Sequence, residues 1–99
     1  MAKLIKTDGT ITEVKPNNGK TFSLKELQKF VGGLVEIVPL PSGKEICVNE
    51  EGKLIDLPKN EEATKIWREE YPIETYGFNN DELIVGDALL VENLSELNI

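Results

Sequence analysis

The stretch LPKNEEATKIW, residues 57–67, is where the chain stops reading as sheet and starts reading as helix. Pro58 cannot donate to a sheet ladder and so ends the run before it. Asn60 is a preferred N-cap, and Glu61 and Glu62 occupy the first turn, where the helix dipole favours negative charge. Ala63, Ile66, Trp67 and Tyr71 then share one face, with Lys65 four residues after Glu61 on the opposite side. As a cap, Asn60 would contribute about 1 kcal/mol. These roles use almost every residue, so the stretch is expected to start a helix rather than to frame a binding site.

Working back towards the amino end, LVEIVPL (34–40), EICVNE (45–50) and KLIDL (53–57) carry strand character and are separated by the turn sequences PSGK and NEEG. They predict a three-stranded meander. Ahead of them, FSLKELQKFVGG (22–33) fits a helix at every position. Ser23 is the N-cap, Glu26 completes a capping box, and Phe22 and Leu27 form a hydrophobic staple. Leu24, Leu27, Phe30 and Val31 lie on one face, and Gly32 and Gly33 supply the left-handed stop. At the amino end, Asp8-Gly9 between Leu4-Ile5 and Ile11–Val14 predicts a hairpin with a type I′ turn, which Pro16 and NNGK close.

On the other side of residues 57–67, the run after Pro72 is polar apart from Tyr76, Gly77 and Phe78. LIVGDALLVEN (83–93) returns to strand character, with Gly86 marking a bulge or bend, and LSELNI reads as a frayed turn or short helix. The fold class expected is α+β: a mostly antiparallel sheet of hairpin, meander and final strand, packed against two amphipathic helices.

At 99 residues, 39% apolar and 29% charged, the chain has the size and composition of one soluble domain spanning residues 1–99. No apolar run approaches the roughly 20 residues that span a bilayer, and MAKLIKTDGT breaks before a secretory core forms. A cytoplasmic protein without membrane contact is therefore expected. Cys47 is the single cysteine and there is no histidine, which removes disulfides, the usual general base and the usual zinc ligand. In a strand, Cys47 reads as a half-buried structural thiol. The net charge of −7 is asymmetric. Residues 1–49 hold seven lysines against five acids, whereas residues 50–99 hold four bases against thirteen acids. A phosphate backbone needs a basic stripe, so direct nucleic-acid binding is not expected.

The pieces DGTITEV, FSLKELQKFVGGLVEIV, VNEEGKLIDLPKNEEAT and IVGDALLV, taken in order, resemble a domain-of-unknown-function family of small proteins found in bacteriophages and bacterial mobile elements. The resemblance covers residues 3–91, and LPKNEEAT and the Gly86 strand are its most specific parts. It implies a small α+β protein of phage-linked origin with no established catalytic activity and no active site to carry over. The segment Tyr71 to Glu82 is longer than the link usual in that family.

Candidate sites follow from residue chemistry. Asn49, Glu50, Glu51, Asp56 and Asn60 carry oxygens, but their spacing is not that of a calcium loop, and a solvated turn with a helix cap is the expectation; no metal is assigned. Adjacent acids such as Glu61-Glu62, Glu69-Glu70 and Asp81-Glu82 point in different directions on a helix and read as solvated charge. Arg68 reads as part of an exposed helix face. Trp67 reads as core. Tyr76 and Phe78, flanked by glycine and acids, are candidate interface anchors together with Asp81 and Glu82. The function expected is a non-enzymatic, cofactor-free protein that binds a host or phage protein through its acidic carboxy-terminal half, with a sheet edge available for self-association. The alternative is a protein that binds or sequesters a nucleotide or signal metabolite near Lys20, Lys25 and the first helix, where NNGKT weakly echoes a phosphate loop.

Overall fold

The computed structural model describes residues 2–70, 83–92 and 96–97. Strands β1 (Ala2–Ile5) and β2 (Ile11–Val14) form the amino-terminal hairpin, followed by helix α1 (Leu24–Val31). Strands β3 (Val35–Pro39) and β4 (Glu45–Asn49) form a second hairpin, followed by helix α2 (Glu61–Glu70) and strand β5 (Ala88–Val91). The sheet order is β2-β1-β5-β4-β3, and every strand pair is antiparallel. The fold is α+β, with the last strand inserted between the two hairpins.

Two apolar layers flank the sheet. Phe22 and Leu27, with Phe30 beside them, pack on Ala2, Cys47, Leu89 and Val91. On the opposite face, Ala63, Ile66 and Trp67 pack with Ile5, Ile46, Val48, Ala88 and Leu90. Successive strand residues point to opposite faces, so β5, central and covered on both sides, is buried at all four of its positions. The helices therefore lie on opposite faces of one sheet.

Several local expectations hold. Ser23 Oγ accepts the Glu26 amide at 3.2 Å and Glu26 Oε1 accepts the Ser23 amide at 3.0 Å, so both halves of the capping box are formed. Gly32 ends α1 in the left-handed conformation at φ 78°. Leu24, however, is 48% exposed and lies outside the buried face, because it sits in the first turn beside the cap.

Two expectations are corrected. The first hairpin does not use a type I′ turn, because Asp8 keeps a negative φ and only Gly9 is left-handed, at φ 93°. The Gly9 amide donates to Lys6 O at 3.0 Å, and Asp8 Oδ1 accepts the Thr10 amide at 2.9 Å, giving a longer loop fastened by its own aspartate. The meander has two strands rather than three: residues 53–57 form successive turns. The Ile55 amide donates to Glu51 O and the Leu57 amide to Gly52 O, which curls the segment instead of extending it. The curl packs tightly at its start, where a Cβ on Gly52 would lie 2.9 Å from Val85 Cγ2 and 3.3 Å from Asn49 O. At the carboxy end Glu96 lies in a helical turn, in keeping with the expected turn or short helix, and the end is tied to the entry of α1: Phe22 and Leu97 form an isolated parallel bridge, and the Phe22 amide donates to Glu96 O at 2.6 Å.

Candidate functional site

Asn60 is the fastening point from which the candidate site is built. It is fully buried and does more than cap α2. Its Oδ1 accepts the Ala63 amide at 3.0 Å, while Nδ2 donates to Ile5 O at 2.8 Å and to Gly86 O at 2.9 Å. One side chain thus joins the start of α2, the end of β1 and the bend before β5. Thr64, one turn on, accepts the Ile84 amide through Oγ1 at 2.8 Å. Together with the Asn60 amide to Ile84 O and the Gly86 amide to Pro58 O, these bonds fix residues 84–86 against the entry of α2. Gly86 makes the bend at φ 77°. These bonds account for Asn60 and Thr64 as fastenings of the helix start, the reading that the composition of the stretch suggests.

What this fastening positions is a cleft on the α2 face. Glu36 and Val38 of β3, Val48 of β4, Trp67 of α2 and Leu83–Val85 line it, and Lys53 and Leu54 from the turn form its lip. Its volume is about 230 Å³. Trp67 packs against the core cluster but is only partly buried, because one side of it borders this cleft. Leu54 is 82% exposed and Ile55 56%. Leu34, whose carbonyl accepts the Glu50 amide at the base of the same turn, is 50% exposed. Neither Glu36 nor Glu50 forms an ion pair among the described residues.

Of the residues singled out from sequence, Tyr76, Phe78, Asp81 and Glu82 lie outside the described residues, as does Tyr71. Lys20 and Lys25 are both exposed near the start of α1. A phosphate approaching that helix start would meet the Glu26 carboxylate, which accepts the Ser23 amide through one oxygen and the Asn17 amide through the other, at 2.9 Å. These bonds hold the Glu26 pKa below its ordinary value. Replacing Glu26 with glutamine, which can keep the same geometry, is expected to flatten the acid limb of stability. The lowered carboxyl contributes stability that is present above its unfolded pKa and lost as pH falls through the folded one. Urea unfolding of the two proteins from pH 6 down to pH 3 checks this.

A second groove, of about 350 Å³, lies between the amino-terminal hairpin and α1. Leu4 and Phe30 line it with Lys6, Lys29, Asn17, Glu26 and Asp87. Asp87 Oδ1 in turn accepts the Thr7 amide at 3.0 Å.

Of the oxygen-bearing set at the strand-to-helix junction, the two asparagines are committed to the backbone. Asn49 donates to Val31 O and accepts the Glu51 amide, and Asn60 is bonded as described. Asp56 takes a left-handed φ of 53° within the turns. Cys47 is wholly buried among apolar side chains, more deeply than the half-burial its strand position suggests, and burial pushes its thiol up to about 12. Iodoacetamide at pH 8 is expected to leave the native protein unmodified and to add one adduct after unfolding, as read by intact mass.

Leu54 and Glu36 are site residues that sequence reading missed, and Glu50 was considered only among the oxygen-bearing set of the turn. The segment KLIDL mimics a strand, and only a leucine-isoleucine pair following NEEG, a turn sequence, hinted that the apolar side chains were turned outward.

A family model described as Domain of unknown function (DUF3846) matches residues 3–97. No curated protein and no solved structure matches the chain.

Proposed function

This chain belongs to the DUF3846 family of domains of unknown function, and from that premise we propose that it is a non-enzymatic binding protein acting on a protein partner through its acidic carboxy-terminal half. The observation that carries the reading is the 82% exposure of Leu54 beside an apolar cleft. A leucine bared at the lip of a concave apolar surface is an arrangement that binding surfaces use and that a self-sufficient core does not need. The sequence adds Tyr76, Phe78, Asp81 and Glu82, which fall in the same acidic half, as further contact residues. The partner is a host or phage protein, the origin a phage or mobile element and the setting the cytoplasm. A sheet edge offers a route to self-association. The acidic balance of −7 supports a protein partner over direct contact with nucleic acid.

A second reading, a binder of a nucleotide or signal metabolite near α1, draws support from the groove beside Lys6, Lys29 and Phe30. Its volume of about 350 Å³ falls within the range usual for small ligands, roughly 300–1,000 Å³. Lys20 and Lys25 would flank that helix rather than line the groove.

Native mass spectrometry of the tagged protein recovered from lysate of its host separates the two. Co-purification of a defined protein, lost on Leu54→Asp with the melting temperature unchanged, is the expected result. Extra mass of small-molecule size on a partner-free chain would select the second reading, and recovery of the bare chain alone would count against both.

A further inference from the structure

Resting on the partner-binding reading, we propose that the cleft beneath Leu54 receives one large apolar side chain flanked by lysine or arginine on the partner protein.

Size carries the first half. At about 230 Å³ the cleft is smaller than the roughly 300 Å³ at which small-ligand pockets begin, and Val38, Val48, Trp67 and Ile84 make its lining apolar. It suits a single side chain better than a whole metabolite. Leu54 lines the cleft while largely exposed, so an inserted apolar group would cover surface that it now leaves in water.

Charge carries the second half. Two glutamates, Glu36 and Glu50, line the cleft against one lysine, Lys53. None of the three forms an ion pair among the described residues. The ion pairs of the structure lie away from the cleft: Glu92 is 3.9 Å from Lys3 and 4.0 Å from Lys44, and Lys59 is 3.7 Å from Glu61. With one more carboxylate than ammonium in its lining, the apolar hollow favours a basic approach over an acidic one.

Random twelve-residue peptides displayed on a carrier and selected against the immobilised full chain test this directly. Enriched peptides are expected to carry lysine or arginine on both sides of one large apolar residue. Binding of those peptides is expected to fall at least tenfold on Leu54→Lys, and likewise on the double variant Glu36→Lys with Glu50→Lys. All three positions are exposed, so circular dichroism melting should show the variants folded. Enriched peptides that lack basic residues, or that bind all the variants equally, would overturn the cleft assignment while leaving partner binding through another surface intact. Absence of any enrichment over blank support would also overturn it, and the lysate experiment would then decide the partner-binding reading separately.

Discussion

Replacing Asn60 with aspartate is expected to destabilise the protein by about 3 kcal/mol or more at neutral pH, a large share of the roughly 5–15 kcal/mol that holds a domain folded. The shape and the cap acceptor survive this change. What disappears is the Nδ2 group that donates to Ile5 O and Gly86 O. Two buried carbonyls lose a donor, at about 1–3 kcal/mol each, and a carboxylate is pressed against them.

The effect should depend on pH. Burial and the two carbonyl oxygens would raise the folded pKa of the new carboxyl above the value of about 3.9 in the unfolded chain. The stability linked to its proton is then fully present below that unfolded value and is lost as pH rises through the folded one. The deficit relative to the parent should therefore be smaller at pH 4 than at pH 7, whereas Asn60→Ala should show a deficit without that dependence. Urea midpoints at both pH values measure it. A loss of only about 1 kcal/mol at pH 7, the worth of a cap alone, would mean that the two carbonyls find donors elsewhere.

The second large effect is expected at Gly86. Alanine there must hold φ near 77° and places its Cβ 2.7 Å from Leu57 Cδ1. The backbone cost of about 1 kcal/mol and an overpacking cost of about 1–3 kcal/mol should together remove about 2–4 kcal/mol. The two parts are separable because the obstructing atom is the end of a flexible side chain. Leu57→Ala in the same molecule should recover the packing part, so the double-mutant cycle closes with a favourable coupling. Gly43→Ala is the control: its φ is 96° with nothing within 4 Å of a Cβ, and it should lose only the backbone part. Equal losses at both glycines would show that Leu57 moves aside freely.

The sequence disclosed best what is decided within a few residues. Ser23 through Gly33 specify a helix, its cap and its stop by contacts no farther than one turn, and all of them form. Asn60 was legible as a cap for the same reason, since the Ala63 amide is three residues away. Its other two bonds reach across 55 and 26 residues, and no local pattern announces such partners. Residues 53–57 were misread because apolar residues around a turn can mimic a strand. The curl is held by the bonds from Ile55 to Glu51 and from Leu57 to Gly52, and it packs Gly52 against Val85 and Asn49, which are distant in sequence or hidden from local pattern. That the helices occupy opposite faces depends on the order of strands, which is a property of the assembled sheet. The cleft escaped for that reason too: β3, β4, α2 and residues 83–85 meet there from separate parts of the chain.

The position of β5 bears on how the molecule comes into being. The chain is synthesised from its amino end, so both hairpins emerge before residues 88–91, the strand that joins them. Until then β1 and β4 each present an unfilled edge, and Ala2, Ile5, Ile46 and Cys47 have no central strand beside them. A nascent chain in this state has two halves of a sheet and nothing between them. The same gap makes the protein divisible. Residues 1–82 supplied with a peptide of residues 83–97 should reassemble, the larger piece acting as receptor for its own missing strand.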